Sequence, residues 1–157
     1  MESLVVYDSK FGNTKKIAEA VAEGLRSHGS VRLLGLDRLP PHDLGKVDLL
    51  FVGGPTQAHA ISARIRQFLD ALEIRPATGM VAATFDTRYR MPTAISGSAA
   101  KTIARKLRRA GVRIFAPPES FFVRQEGPQL EQHETERARA WAKNVADRLM
   151  LSHWCAA

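Results

Sequence analysis

The stretch Tyr7-Asp8-Ser9-Lys10-Phe11-Gly12-Asn13-Thr14 has the residue types an anion site needs. Ser9, Asn13 and Thr14 offer side-chain donors to oxygen, and Gly12 permits close backbone approach or a positive φ. The stretch lies between an apolar run and an apolar-periodic segment, so it is expected where a strand hands over to a helix. Backbone N–H groups at a helix start lack intrahelical partners and sit at the positive end of the macrodipole, which suits a phosphate. An ordinary turn capped by Asn13 or Thr14 would read the same way. A second stretch, Gly53-Gly54-Pro55-Thr56-Gln57-Ala58-His59-Ala60, follows a buried-looking run. Thr56, Gln57 and His59 there could hydrogen-bond a flat heterocycle, or Gly-Gly-Pro could simply end a strand. His59 has no carboxylate or cysteine close in sequence, so it reads as a ligand-contacting or surface histidine rather than a base. In a third, Thr84-Phe85-Asp86-Thr87-Arg88-Tyr89, Tyr89 is an aromatic that could stack on a ring, and Asp86 could accept from a ring N–H. A solvated loop with Tyr89 on Met91 or Pro92 is the alternative.

These stretches must be positioned by the elements around them. Apolar runs at residues 4–7, 31–36, 48–53 and 80–85 predict strands, and the run at 49–52 looks buried on both faces. Residues 112–115 and 120–123 read as one edge strand interrupted by Pro117-Pro118, since proline cannot donate to a ladder. Helices are predicted over residues 13–28, ended by Gly29, and over 99–110, with Ser96 or Ser98 as N-cap and Gly111 as stop. Ile61, Ile65, Phe68, Leu69 and Leu72 follow helical spacing. Ala138, Trp141, Ala142, Val145 and Leu149 form the stripe of a last helix. A turn-rich stretch, residues 38–43, separates the second strand from the third. Alternating strands and helices imply a parallel sheet covered on both faces by right-handed crossovers. In such sheets ligands bind beyond the carboxyl ends of the strands, where strand order reverses. Residues 8–13, 54–60 and 86–98 are therefore expected to be loops that meet.

Composition narrows the function classes. A chain of 157 residues, 45% hydrophobic and 25% charged, suits one domain spanning 1–157. The start runs directly into a strand and nothing reads as a leader or a membrane span, so a cytoplasmic location is expected. The single cysteine, Cys155, excludes an internal disulfide and a cysteine-based metal cluster, and no metal site is predicted. Net charge is +7, and residues 87–118 carry eight basic side chains and no acidic one. That region reads as a solvated face or as a docking surface that attracts acidic partners. No motif or aromatic interleaving points to nucleic acid.

Over essentially its whole length the chain resembles the flavodoxins, of the short type that binds FMN. Ser9-Lys10-Phe11-Gly12-Asn13-Thr14 is similar to the family's phosphate loop, which implies that Ser9, Lys10, Gly12, Asn13 and Thr14 hold the FMN phosphate. Pro55-Thr56-Gln57-Ala58 falls at the family's first ring-contacting loop. Asp86-Thr87-Arg88-Tyr89, with Phe85 before it, resembles an Asp-x-x-Tyr whose tyrosine stacks on the isoalloxazine. The resemblance implies a three-layer α/β sandwich with a five-stranded parallel sheet in order 2-1-3-4-5. It also implies electron transfer with a redox partner protein, which charge suggests has an acidic docking face. No catalytic side chain is needed.

The chain departs from the family at four places, one of them a third loop that is shorter than usual and carries Phe85 before Asp86. Phe11 stands where the family has a hydroxyl, a loss of about 1.5–3 kcal/mol if that hydroxyl bonded the phosphate. Gln57 stands at or near the place of the family's tryptophan. Ala58 replaces a glycine whose peptide flips on reduction, and a Cβ makes positive φ costlier. Two other functions are kept open: a flavin-dependent reductase of quinone type, and an FMN-free interaction or regulatory module.

Overall fold

The apolar runs become β1 (Glu2–Tyr7), β2 (Ser30–Gly35), β3 (Leu49–Pro55) and β4 (Val81–Tyr89), and the interrupted run becomes β5 (Arg113–Ile114) and β6 (Glu119–Val123). The helices are α1 (Asn13–Leu25), α2 (Ala63–Ala71), the short α3 (Thr93–Ser96), α4 (Ala99–Arg109) and α5 (Glu134–Trp154). The structure is a computed structural model that describes residues 1–37, 44–58, 60–72, 79–127 and 129–154. The expected turn at residues 38–43, His59 and Cys155 lie outside the described residues.

All strand pairs are parallel, in the order β2-β1-β3-β4-β5, with β6 also on β4. This is the expected three-layer sandwich and strand order. β5 pairs Val81 and Ala82, and β6 pairs residues 85–89, so the two pieces run one after the other along a single edge of β4. Pro117 and Pro118 fall in the gap between them, where no ladder bond is required.

Side-chain alternation divides the core in two. Val5, Leu49, Phe51, Val81, Ala83 and Phe85 face α1 and α5, while Leu4, Val6, Leu50, Val52 and Ala82 face α2 and α4. Strands clad on both sides read as continuous apolar runs, which is why 49–52 was legible as buried. On the first face Trp141 meets Phe51, Phe85 and Phe121 edge-on, with centroids 5.3, 6.3 and 5.8 Å away. Aromatic pairs prefer such edge-to-face contacts over face-to-face stacking.

Helix boundaries follow local chemistry. α1 ends at Leu25 and tightens into a 3₁₀ turn over Arg26–His28 before Gly29, three residues short of the expected α-helical end. Ser62 Oγ accepts from Ile65 N–H and Ser98 Oγ from Lys101 N–H, so Ser98 rather than Ser96 caps α4, and Ile61 and Leu72 flank α2. Gly111 takes φ +88°, the left-handed stop glycine supplies.

The turn after α1 is tied to α5 by Asp147, whose carboxylate meets His28 Nε2 at 2.6 Å and Lys143 Nζ at 2.8 Å. The bond from Lys143, then that with His28, holds the Asp147 carboxyl below the usual aspartate range. The lowered value belongs to the folded state. This contribution to stability is therefore present above the ordinary aspartate pKa and lost as pH falls through the lowered one. A carboxyl NMR titration should place the Asp147 midpoint below that of free aspartate, and Lys143→Ala should move it up. A midpoint unchanged in Lys143→Ala would contradict the pairing.

Candidate functional site

At the carboxyl ends of β1, β3 and β4 a cleft of about 290 Å³ opens between three segments. Ser9, Lys10, Phe11, Asn13 and Thr14 line it from the first, Pro55, Thr56 and Gln57 from the second, and Thr87, Arg88, Tyr89 and Val123 from the sheet. Topology brings these together because β1 and β3 are adjacent in space while the chain between them crosses to β2, the reversal at which a cleft must form.

The first wall is an open helix start. Gly12 occupies the N-cap position at φ +89° with no side-chain cap, so neither Asn13 nor Thr14 serves as the cap. The first intrahelical bond runs from Lys16 N–H to the Gly12 carbonyl. A Cβ placed on Gly12 would meet nothing within 4 Å, so the space beside it is open and φ alone demands the glycine. Ser9 Oγ accepts from Gly12 N–H at 3.1 Å, which fixes the loop and leaves the serine proton for a ligand. Asp8 lies beside this wall, and Arg64 Nη1 sits 3.3 Å from its carboxylate, balancing its charge. Phe11 is 69% exposed, with the Lys10 ammonium 5.3 Å from its ring centroid.

The second wall is a tight turn. Gln57 and Ala60 exchange backbone bonds of 3.1 and 2.8 Å, and Ala58 sits at φ +42°. Non-glycine residues take this region at a cost, so the turn already holds the conformation that alanine was expected to resist. Ala58 is exposed and is not among the residues lining the cleft.

The third wall corrects the sequence reading. β4 does not end at Phe85 but continues to Tyr89, because β3 pairs it as far as Thr87 on one side and β6 pairs residues 85–89 on the other. Asp86 and Tyr89 are therefore strand residues and not part of a loop. Alternation along the strand then separates them. Phe85 is fully buried against Phe121 and Trp141, and Asp86 is 0% exposed on the α4 side, so neither reaches the cleft as a ligand contact would need to. Tyr89 lines the cleft and is 47% exposed.

Asp86 instead organises the start of α4. Its Oδ2 accepts from Ser98 Oγ at 2.6 Å, from Ala100 N–H at 3.0 Å and from Thr56 Oγ1 at 3.1 Å, while Thr56 Oγ1 accepts from Ala99 N–H at 2.9 Å. Negative charge and acceptors at a helix start satisfy its N–H groups and its dipole. The other oxygen, Oδ1, is buried without a hydrogen bond and has Arg88 Nε 3.9 Å away. Arg88 is itself held by Ser120 Oγ, Ser96 Oγ and the Met91 carbonyl.

Thr87, Arg88 and Val123 line the cleft without having been expected there. The signal that could have found Thr87 was the period of two running through Phe85, Thr87 and Tyr89, which is hidden once the strand is ended at Phe85, whereas Arg88 lies on the other face of the strand and had no such signal. Nor is residues 87–118 one solvated basic face. Lys101, Arg105, Arg108 and Arg109 are exposed, but Arg88 is mostly buried and Lys106 pairs with Asp70 at 2.9 Å.

The donor set can be tested against FMN. One end of the ligand is a doubly charged phosphate, matched by an uncapped helix start, two hydroxyls and an ammonium. The other is a flat ring with a polar edge, matched by the exposed Tyr89 and by Gln57, with Thr56 beside them in the cleft wall. The residues present fit the group.

A family model described as Flavodoxin matches residues 5–141. A flavodoxin of Aquifex aeolicus is 46% identical over 69 residues, which are 43% of this chain and 37% of that protein. A flavodoxin of Clostridium saccharobutylicum is 24% identical over 157 positions, covering 95% of this chain and 98% of the relative. Among solved structures, oxidised Flavodoxin 1 from Bacillus cereus superposes with a TM-score of 0.78 at 17% identity, covering 94% of this chain and 98% of the other, a likeness of fold.

Proposed function

Since the chain belongs to the flavodoxin family, we propose that FMN occupies the cleft with its phosphate on residues 9–14 and its ring between residues 55–57 and Tyr89. The protein is an FMN-binding electron-transfer protein. Ser9, Lys10, Gly12, Asn13 and Thr14 would hold the phosphate, and Pro55, Thr56, Gln57 and Tyr89 would position the ring. When bound, FMN supplies the redox chemistry, accepting and releasing electrons. The protein's part is to bind, orient and set the field, and no side chain is assigned a catalytic role. The observation that carries this placement is the uncapped start of α1, opening at Gly12 onto a cleft that Tyr89 and Gln57 also line.

The test is retention of colour. Protein mixed with FMN and freed of excess should keep flavin absorbance with quenched fluorescence. Riboflavin, which lacks the phosphate, should bind at least about tenfold more weakly, because hydrogen bonds to a charged group contribute about 1.5–3 kcal/mol each. Equal affinity for the two would sink the phosphate placement.

The proposal extends to a single domain acting in the cytoplasm and passing electrons to a partner with an acidic docking face. Exposed Lys101, Arg105, Arg108 and Arg109 support the last element, and among the described residues no helix is long and apolar enough to cross a membrane. With net charge +7, the field should favour the anionic, fully reduced flavin. The second-step potential is expected above that of an acidic family member at low salt, with the gap narrowing as salt rises. A value at or below the acidic protein's would refute this.

A second reading, a reductase of quinone type, is favoured by one feature. Gln57, exposed on the cleft, stands near the place of a tryptophan that would cover the ring. Steady turnover of a quinone with NAD(P)H would support it.

A further inference from the structure

Thr87 lies at the junction of all three walls of the cleft. Its carbonyl accepts from Thr56 N–H at 3.0 Å, which anchors the second wall, and its hydroxyl meets Thr14 Oγ1 of α1 at 2.7 Å. Both threonines line the cleft, yet they are only 2% and 4% exposed. The proton count of this pair is informative. Two hydroxyls bring two protons, and the single contact between them uses one. Neither oxygen makes another hydrogen bond among the described residues. One donor is left in a place where a buried donor without an acceptor is costly, and the void beside it is the cleft.

The opposite change is found at position 11. Phe11 carries no donor, is largely exposed and lies beneath the Lys10 ammonium, so the loop offers one hydroxyl fewer. We propose that Thr87 is a phosphate-binding residue, which reaches the loop from β4 and, through its pair with Thr14, supplies the hydroxyl donor that Phe11 removes. The proposal rests on the FMN reading above, and it adds to the site a residue from a strand that the anion-binding loop does not include. The pair would act as one donor relay. For this, Thr14 would donate to Thr87 Oγ1 and Thr87 would keep its own proton for the phosphate, so Thr87→Val removes that donor and leaves the Thr14 hydroxyl without its acceptor.

Affinities for FMN and riboflavin, read by quenching of flavin fluorescence, decide the matter. Thr87→Val keeps the shape and removes the hydroxyl. It should weaken FMN binding about tenfold while riboflavin binding changes less than about twofold. Thr87→Ser should bind FMN like the parent, and Phe11→Thr/Thr87→Val should recover most of the loss. Far-UV circular dichroism checks that the valine variant folds, and Thr87→Ala serves in its place if it does not. Equal weakening of FMN and riboflavin would mean that Thr87 only packs, and unchanged FMN binding would mean that it does not meet the phosphate. Either result overturns this proposal and leaves the FMN reading standing. A parent protein that binds neither flavin overturns both.

Discussion

Asp86→Ala should lower the unfolding free energy by about 3–5 kcal/mol, the range for removing one partner of a buried, hydrogen-bonded charge. The carboxylate is fully enclosed, and three donors converge on its Oδ2: the Ser98 hydroxyl, Ala100 N–H and the Thr56 hydroxyl. Alanine leaves all three to compete for whatever acceptors remain, and it leaves the mostly buried Arg88 without the carboxylate 3.9 Å away. The damage should spread beyond stability. Thr56 is where the second wall of the cleft meets the start of α4, so freeing it loosens the neighbouring pairing of Gln57 with Ala60 and weakens flavin binding too. Asp86→Asn keeps an acceptor and the shape but loses the charge, and should fall between parent and alanine variant. Urea denaturation of the flavin-free protein gives the number. A loss below about 1 kcal/mol in the alanine variant would mean that the three donors are satisfied without Asp86.

Gly53→Ala should be comparably damaging for a different reason. A Cβ on Gly53 would fall on the Phe85 ring, well inside the 3.0 Å that real Cβ atoms keep. That ring has nowhere to go, being fully buried with Phe121 and Trp141 packed against it. Overpacking of a close-packed core costs about 1–3 kcal/mol and more where neighbours cannot yield, so a loss of about 3 kcal/mol is expected. If the clash is the cause, Phe85→Leu should relieve it. The double variant should then be more stable than the two single losses predict, a coupling that independent sites would not show. Strict additivity in that cycle would place the damage elsewhere in β3. The same contact explains Phe85, whose position beside the ring-binding residues in sequence suggested a ligand contact: it packs beneath the sheet, under Gly53.

The layered fold was legible because it rests on local signals, while the strand order came only with the resemblance to the family. Runs such as 49–52 are apolar without alternation, as strands clad on both faces must be, and Gly29 and Gly111 mark helix ends where positive φ is needed. The residues of the first wall were legible in the same way, being adjacent in the chain, although a cap by Asn13 or Thr14 had stayed open and it is Gly12 that takes that place. The third wall was not. The run after Phe85 reads Asp-Thr-Arg-Tyr, polar enough to suggest a loop, and nothing local says that two neighbouring strands will pair it.

What the sequence determined by itself, then, is the set of elements, their order and the chemistry of the loop at residues 9–14, all consequences of periodicity and of neighbours in the chain. Only the tertiary structure decided which polar residues of β4 face the cleft. A strand sends successive side chains to opposite faces, and its length is set by hydrogen bonds to partners far away in sequence. Extending β4 by four residues through β3 and β6 therefore turned Asp86 from a surface carboxylate into a buried brace, and put Thr87 against Thr14.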